Sequence, residues 1–406
     1  MRQYNHYSLE IFMTNTPPSN TGKTIWLLTA GAFFAFFVFG FTDNLKGPTL
    51  PALLQDLNFS YSLGGTILLG LYLGFMAATL STGLIADRVG QRFVLILAGI
   101  CLALGVGGFS SFSSPLFLSL STVFLGFGLG SLELGCNALI VSLHSTDKGR
   151  YLNLMAVMHG MGSMFAPLYA GWLLAADTSW RTVYRWDFIL IGLLIAIFVF
   201  VRFPVTDSQS GGKINFRQLG KTAFTLEMIW YYAAIALYVA IELGIASWIV
   251  EFLQKIRAQS IAQSTQALSL FFGLIMVGRF VGSFLVERLG YLKSILMAAL
   301  GASACLALAV FGPPQFSIFL PISGFFLSII FPTLTAAASE SHKENLNSIL
   351  GLLFTFAGLG GILGPWLVGI ASDIVGLKIG FAFNLLFGLL TAATILVLLR
   401  MQRKAV

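Results

Sequence analysis

The chain has 406 residues, of which 57% are hydrophobic and only 10% are charged, and its mean hydropathy is +0.87. A water-soluble domain carries about 25% charged residues, so this composition excludes one and indicates a helical protein that crosses a membrane many times. The formal net charge of +7 could suggest a nucleic-acid partner. The basic residues are scattered in short loops, however, which is typical of topology signals and argues against nucleic acid.

Twelve apolar runs predict twelve membrane-spanning helices. They lie near residues 25–45, 62–85, 93–112, 115–143, 152–176, 184–203, 229–253, 265–286, 292–311, 315–338, 347–370 and 378–400. An even number of crossings places both termini on one side, and most Lys and Arg residues fall on that side. The basic residues expected on the opposite side are Lys46, Arg181, Arg185, Lys255, Arg257 and Lys378. The distribution predicts cytoplasmic termini and a multi-pass protein of the plasma, or inner, membrane.

The two halves of the sequence resemble each other. "ADRVGQR" after the second span aligns with "VERLGYLK" after the eighth at an offset of 200, and "HGMGSMFAPLYAG" aligns with "AGLGGILGPWLVG" at an offset of 198. Such repeats are common in membrane transporters. We therefore expect an all-α fold with two pseudo-symmetric six-helix bundles at residues 25–203 and 229–406. A cytosolic tail, residues 1–24, and a cytosolic linker, residues 204–228, complete the predicted organisation.

Ionisable residues inside the spans are the first functional candidates, because each is costly to bury unless it faces a cavity or a partner. These residues are Asp43, Glu133, His159, Glu242 and Arg279. By helical rise, Glu133, His159 and Glu242 lie roughly 15, 10 and 20 Å from the inner ends of their spans, so one mid-membrane cavity could hold all three. We expect Arg279 to pair with an acidic group or to reach the cytoplasmic boundary.

Two spans carry polar stripes at helical spacing. In span four, Gly126, Gly130, Glu133 and Asn137 follow i, i+4, i+7, i+11, so they share one face. In span seven, Tyr238 and Glu242 lie on one stripe, with Trp248 one to two turns further on. Aromatic rings next to hydrogen-bonding groups suit a sugar, although Tyr and Trp also serve as anchors at the membrane interface.

The segment "GLIADRVGQR" forms a short charged loop between the second and third spans, with Gly83, Asp87, Arg88, Gly90 and Arg92 as its marked positions. It resembles the loop signature of the major facilitator superfamily. The resemblance implies a cytoplasmic gating loop, in which Asp87 lies near a helix end while Arg88 and Arg92 pair with acidic groups. An alternative is that these charges only enforce the topology.

A narrower resemblance is carried by "GLGSLELGCN", by "LNL" at 152–154 and by "HGMGSMFAP". These segments are similar to spans four and five of the fucose:proton symporter family. The resemblance implies that Glu133 couples cation and sugar transport and that Asn137 binds substrate. The family's span-five asparagine corresponds to His159, a departure that keeps hydrogen-bonding capacity. The acidic position of span one corresponds to Gly47, and Asp43 and its neighbour Asn44 lie just before it.

The remaining polar features predict no second site. Asp187, beside Arg181 and Arg185 near an outer boundary, is expected to form a solvated ion pair. The three cysteines lie in apolar runs without a CxxC pattern, and no metal, cofactor or nucleotide motif occurs.

Three classes of function stay open. The first is a secondary transporter that moves a monosaccharide or a related small polar solute with a proton or sodium ion. The second is an exporter of drugs or amphipathic metabolites by proton antiport, and the third is a receptor or scaffold. An enzyme is not expected, because no nucleophile, base and orienting group share a usable spacing. In the symporter that we favour, the predicted cation-coupling residues are Glu133, Glu242 and Asp43, and the predicted substrate-binding residues are Asn137, His159, Asn44, Tyr238 and Trp248. We expect a monomer whose partners are this solute, the co-transported cation and the lipid bilayer.

Overall fold

A computed structural model describes residues 20–144, 146–201, 203, 224–341 and 346–405. The helices of these residues, numbered here in chain order, are Asn20–Asp43 (α1), Lys46–Leu57 (α2), Tyr61–Val89 (α3), Gln91–Ser111 (α4), Pro115–Leu143 (α5), Lys148–Ala175 (α6), Trp180–Phe200 (α7), Leu226–Arg257 (α8), Ile261–Leu289 (α9), Tyr291–Phe311 (α10), Phe319–Leu327 (α11), Ile330–Ser341 (α12), Leu346–Val375 (α13), Leu377–Phe381 (α14) and Phe383–Ala405 (α15). A 3₁₀ helix, Pro314–Ile318, precedes α11, and the described residues contain no strand.

The prediction of an all-α membrane protein is confirmed. In the described part of the chain, eleven helical segments are long and apolar enough to cross a membrane. The 28-residue helix α6 packs between α1 and α9 and completes the twelve predicted crossings. Helix α1 begins at Asn20, inside the predicted tail, whereas most of the tail and of the predicted linker lies outside the described residues. The domain boundaries therefore remain predictions.

The first crossing is broken in its middle, between α1 and α2. The segment Gly22–Leu57 spans the membrane as one unit, but Asn44 and Leu45 form a turn within it. Pro48 is the cause that the sequence offers, because it lacks the N–H group that would bond to the carbonyl of Asn44. Proline is tolerated in the first turn of a helix, so α2 restarts just before it. Lys46, expected in an outer loop, is therefore buried inside a membrane span, and that prediction is wrong.

The internal repeat is visible in the geometry of two turns. Gly90 joins α3 to α4 with φ 86° and ψ 157°, and Gly290 joins α9 to α10 with φ 82° and ψ 153°. This region of backbone space is open essentially to glycine alone. The two aligned prolines, Pro167 and Pro365, likewise both lie inside helices, α6 and α13. Positions paired by the sequence alignment thus adopt matching local structure.

The helices pack as two groups, α1–α7 and α8–α15. Because successive long helices are joined by short connections, they alternate in direction. We call the end that carries the Gly90 and Gly290 turns the loop end, and the opposite end, with the turns at 58–60, 176–179 and 258–260, the seal end. The two groups contact each other through α2 with α8 and α9, α3 with α13, and α6 with α9.

Candidate functional site

Four of the five predicted intramembrane groups lie near one another between the two groups of helices. Asp43 and Arg279 both interact electrostatically with the ring of His159. Arg279 and Glu242 both interact with the hydroxyl of Tyr238. Helices α1, α6, α8 and α9 therefore converge there. Asp43, His159 and Glu242 are partly exposed and Arg279 is exposed.

Asp43 does not stand alone at this depth, because Lys46 is its partner. The Lys46 Nζ lies 2.5 Å from Asp43 Oδ1 and donates a second hydrogen bond, of 2.7 Å, to the Asp43 carbonyl. The exposed fractions of the two side chains are 5% for Lys46 and 14% for Asp43. The break between α1 and α2 makes this pair possible, since it frees the last carbonyls of α1. The two charges cancel, which is how a membrane span tolerates them.

Tyr72 of α3 is a central residue that the sequence did not single out. Its hydroxyl is buried and has no hydrogen-bond partner within the described segments, and Lys46 Nζ lies 5.6 Å from its ring centroid. Asp43 and Glu242, one from each group of helices, both interact electrostatically with it. Its position within an apolar run gave no signal, because a single Tyr in such a run is typical of many core positions.

Glu133 and Asn137 lie on α5, and the glycines of their stripe explain how α5 is positioned. A Cβ at Gly126 would meet the Leu71 carbonyl, and a Cβ at Gly130 would lie 2.9 Å from the Phe75 carbonyl. The glycines therefore allow α5 to pack closely against α3. Glu133 and Asn137 are partly exposed, and within the described residues neither side chain has a hydrogen bond or an ion pair. Glu133 is thus a carboxyl group at mid-membrane depth with no fixed partner.

His159 and Asn44 occupy the contact between α1 and α6. The His159 ring packs edge-on against Phe39, with 4.6 Å between centroids. Asn44 is 4% exposed, and its amide donates to the Gly40 carbonyl at 2.9 Å and to Ser163 Oγ at 3.0 Å. Gly40 allows this approach, since a Cβ there would meet the His159 carbonyl. In this conformation the Asn44 amide joins two helices, whereas His159 keeps partial exposure.

Trp248 and Tyr238, the predicted aromatic binding residues, are both fully buried. Trp248 donates its Nε1 proton to the Pro365 carbonyl at 2.9 Å, and its ring packs edge-on against Tyr61, 5.7 Å between centroids. Tyr238 lies beside Phe331 and near Glu242. Tyr238 therefore lies next to the central groups, whereas Trp248 lies further toward the seal end.

Trp248 belongs to a set of contacts that we call the seal, formed by Tyr61, Ser62, Trp248, Glu251 and Asp373. Asp373 accepts the backbone N–H groups of Tyr61 at 2.9 Å and Ser62 at 2.7 Å. The Tyr61 hydroxyl donates to Glu251 Oε1 at 3.2 Å. All of these contacts join the first group of helices to the second. The two groups are therefore closed against each other at this end.

The predicted gating loop lies at the loop end. Gly83, Asp87, Arg88, Gly90 and Arg92 are all exposed. Arg92 donates to the carbonyls of Phe198 and Val199 at the end of α7. This contact stabilises a helix carboxyl terminus and differs from the acidic pairing that the resemblance implies. Within the described residues, Asp87 and Arg88 form no ion pair in this conformation.

The prediction that Asp187 forms a solvated ion pair is wrong. It is 1% exposed, and Arg181 instead pairs with Asp56 and binds Ser113. The sequence neighbours of Asp187 misled the prediction, because adjacent residues on a helix point in different directions. Asp187 is therefore a buried carboxyl group with no basic partner within 4 Å among the described residues.

Comparison with known proteins extends these observations. The family profile described as Major Facilitator Superfamily matches residues 32–345. A glucose/galactose transporter of Brucella abortus biovar 1 (strain 9-941) is 23% identical over 397 residues, covering 91% of this chain and 94% of that protein. The crystal structure of the nucleoside transporter NupG matches with a TM-score of 0.75 and 15% identity, covering 93% of this chain and 99% of NupG. A variant of the E. coli fucose:proton symporter FucP matches with a TM-score of 0.62 and 19% identity, covering 93% of this chain and 99% of FucP.

Proposed function

Because the chain belongs to the Major Facilitator Superfamily and is a multi-pass membrane transporter rather than an enzyme, we propose that it is a cation-coupled symporter. Its substrate is a monosaccharide or a related small polar solute, and its driving ion is a proton or a sodium ion. The relative described as a glucose/galactose transporter supports this substrate class. The observation that carries the proposal is Glu133, a partly exposed carboxyl group at mid-membrane depth that has no fixed partner among the described residues.

The arrangement of the helices supports alternating access. The seal holds the two groups together at one end, while the gating loop at the other end is exposed. We assign the loop end to the cytoplasm, because the positive-inside rule places the Lys and Arg residues of that end inside. Lys46 is buried and so does not count among the basic residues of the outer side, which increases the excess of basic residues at the loop end. We propose that the structure represents a carrier open to the cytoplasm, that the protein lies in a plasma or inner membrane with both termini cytoplasmic, and that it acts as a monomer.

Among the three carboxyl groups predicted to couple transport, we rank Glu133 first. A coupling group must change its protonation or ion occupancy as its solvation changes between conformations. Asp43 already has a buried counter-charge in Lys46, so its ionised form is stabilised without any bound cation. Glu242 shares its surroundings with Tyr238 and Arg279. Among the described residues, Glu133 has neither a basic partner nor a hydrogen-bonded neighbour. A bound proton or sodium ion would neutralise its carboxylate.

The substrate is held by polar groups from both halves in this proposal. Asn137 lies one turn from Glu133 on the same face of α5, so a hydroxyl bound at Asn137 can sense the state of the carboxyl group. His159 from α6 and Tyr238 from α8 supply a hydrogen-bonding ring and an aromatic face at similar depth. The charges of Asp43, Lys46, Glu242 and Arg279 cancel in sum, which favours a neutral solute over an ionic one.

The test is uptake of a panel of labelled hexoses into proteoliposomes with an imposed proton or sodium gradient. We expect gradient-driven accumulation of at least one neutral sugar by the unmodified protein. Glu133→Gln should retain counterflow of that sugar and lose accumulation, because glutamine mimics the protonated acid but cannot release a proton. Glu227→Gln is the matched control, because Glu227 lies at the loop end of α8, away from the mid-membrane ionisable groups. This variant should retain both counterflow and accumulation.

Two results would contradict parts of this proposal separately. If no neutral sugar is transported but a gradient drives efflux of amphipathic compounds, the protein is an exporter. If a sugar is transported and Glu133→Gln still concentrates it, coupling lies elsewhere. Glu242 is then the next residue to substitute, followed by Asp43.

A further inference from the structure

A second titratable group lies outside the site described above, in the first group of helices. Asp187 lies seven residues from the seal-end start of α7, or about 10 Å along the helix. It is 1% exposed and accepts one hydrogen bond, from Thr42 Oγ1 to Oδ2 at 2.8 Å. Its other oxygen, Oδ1, is buried and has no hydrogen-bond partner among the described residues.

The groups around Asp187 on each neighbouring element already have other partners. Lys46 of α2 is bound to Asp43, the last residue of α1. The Tyr169 hydroxyl of α6 donates to the Val183 carbonyl at 3.1 Å, and the hydroxyl of Tyr184, on α7 itself, is 3.3 Å from Thr49 Oγ1. The basic residues of the packed elements are likewise engaged or exposed: Arg181 binds Asp56, Arg185 is exposed, and Arg92 of α4 binds carbonyls at the loop end of α7.

These contacts distinguish the ionised form of the Asp187 carboxyl group from its protonated form. A buried carboxylate normally receives several hydrogen bonds or pairs with a cation, because an uncompensated charge costs several kcal/mol inside a protein. In the part of the chain that the structure describes, Asp187 has one hydrogen-bond donor and no cation beside it. A protonated Asp187 leaves only one neutral group unpaired, which is far less costly.

We propose that Asp187 is a proton-binding site, occupied while the seal is closed and emptied toward the seal end when the seal opens. A small cavity lined by Lys46, Thr49 and Tyr184 lies one helical turn from Asp187 in that direction. The hydroxyl groups of Thr49 and Tyr184 are 3.3 Å apart in this cavity, and we expect the proton to pass along them. Because Thr42 precedes Asp43 at the end of α1, the state of Asp187 is linked to the helix break that presents α2 to α8. The proposal concerns the protein's conformational cycle and does not depend on which solute it carries.

Infrared spectroscopy of the purified protein in nanodiscs tests the protonation directly. We expect the difference spectrum between the unmodified protein and Asp187→Asn to show loss of one C=O stretching band of a protonated carboxyl group. Asparagine keeps an oxygen acceptor for Thr42, so this variant should fold. Thr42→Val should shift the same band to higher frequency, because it removes the hydrogen bond that the Asp187 carboxyl group accepts from Thr42. Asp56→Asn, whose carboxylate is paired with Arg181 at the seal end, should leave the band unchanged.

A second measurement links the proton to the seal. Ser247 is fully buried on the seal half of α8, so a Ser247→Cys variant without the three native cysteines should react with a maleimide only when the seal opens. We expect labelling to accelerate as the pH rises, and Asp187→Asn to remove this pH dependence. Absence of the infrared band, or an unchanged pH dependence in Asp187→Asn, would overturn the proposal. Both readouts are independent of substrate, so failure to transport a sugar would not affect them.

Discussion

Asp373 caps the amino-terminal end of helix α3 at Tyr61, across the boundary between the two groups of helices. The carboxylate at the end of α13 accepts the backbone N–H group of Tyr61 at 2.9 Å and that of Ser62 at 2.7 Å. The first N–H groups of a helix have no partner within the helix, and its amino-terminal end attracts negative charge. A capping interaction that normally stabilises one helix here joins two halves of a transporter.

We predict that Asp373→Asn shifts the protein toward a conformation with an open seal. The substitution removes the negative charge and replaces one acceptor by a donor that faces a backbone N–H. Loss of a helix cap costs about 1 kcal/mol, which corresponds to about a fivefold shift in a conformational equilibrium. The rate of maleimide labelling at Ser247→Cys measures the shift.

Asp56→Asn is the control for this prediction, since Asp56 is also a carboxylate at the seal end but pairs with Arg181 within one group of helices. Because both partners belong to the same group of helices, we expect opening of the seal to leave this pair intact, and labelling should not change. Equal labelling of the Asp373 and Asp56 variants would show that the cap does not hold the seal.

The gating loop should act in the conformation that this structure does not display. Asp87 is exposed here and forms no ion pair within the described residues, so we expect its predicted contact with a helix end to form only when the loop end closes. We expect Asp87→Asn to lower transport turnover more than substrate affinity. Transport rates and binding titrations in proteoliposomes give the two quantities. An increase in the dissociation constant with unchanged turnover would contradict a gating role.

The same loop tests the orientation of the protein. If the loop end is cytoplasmic, a cysteine in place of Gln91 in cells should react with a permeant maleimide and resist an impermeant one. Labelling of this position by the impermeant reagent from outside would reverse the assigned topology. The control is Asn58, in the turn between α2 and α3 at the opposite end, where a cysteine should react with the impermeant reagent as well as with the permeant one.

Much of the fold follows from the sequence because hydropathy depends on residue types summed over a whole span. Span four, predicted at 115–143, coincides with helix α5 at Pro115–Leu143. The glycines at the Gly90 and Gly290 turns were equally readable, because their backbone geometry is open to glycine almost alone. Such features are local, so they can be read without knowing which helices will pack together.

The charges inside the membrane were predicted less well, because their environment depends on packing. Lys46 was placed in a loop, although Pro48 two residues later is a signal for a helix break within a continuous span. Asp187 was paired with its sequence neighbours, whereas its contact is Thr42, 145 residues away. Tyr72 carried no signal at all. For Asp187 and Tyr72 the deciding contacts lie on other helices, which a periodicity count does not identify.

A prediction for His144 concerns the loop end, where its ring stacks on Tyr151 with 3.6 Å between centroids. Desolvation lowers the pKa of His144 from its usual value, and the nearby Asp147 raises it in part. The His144 ring therefore binds a proton more readily in the unfolded chain than in the folded protein. The free energy of unfolding should fall as the pH drops from the usual pKa of histidine toward the lowered pKa of His144. Histidine NMR in nanodiscs measures the pKa directly. Asp147→Asn should lower it further, and an increase would contradict the electrostatic assignment.

The last prediction separates structural neutralisation from coupling at Asp43 and Lys46. Removing one partner of a buried ion pair leaves an uncompensated charge and typically costs about 3–5 kcal/mol. We therefore expect Asp43→Asn and Lys46→Gln each to lower the thermal unfolding temperature in detergent strongly. The double variant removes both charges and should recover most of the stability, because two neutral amide-bearing side chains can occupy the break between α1 and α2.

Transport by the double variant decides the role of the pair. If Lys46 only neutralises Asp43, the double variant should still accumulate substrate, with its pH or sodium dependence unchanged and Glu133 as the remaining coupling group. A stable double variant that exchanges substrate by counterflow but no longer accumulates it would instead make Asp43 a coupling residue. The buried position of Lys46 favours the first result. The ammonium group, 2.5 Å from the Asp43 carboxylate, already neutralises it, which weakens binding of a second cation there.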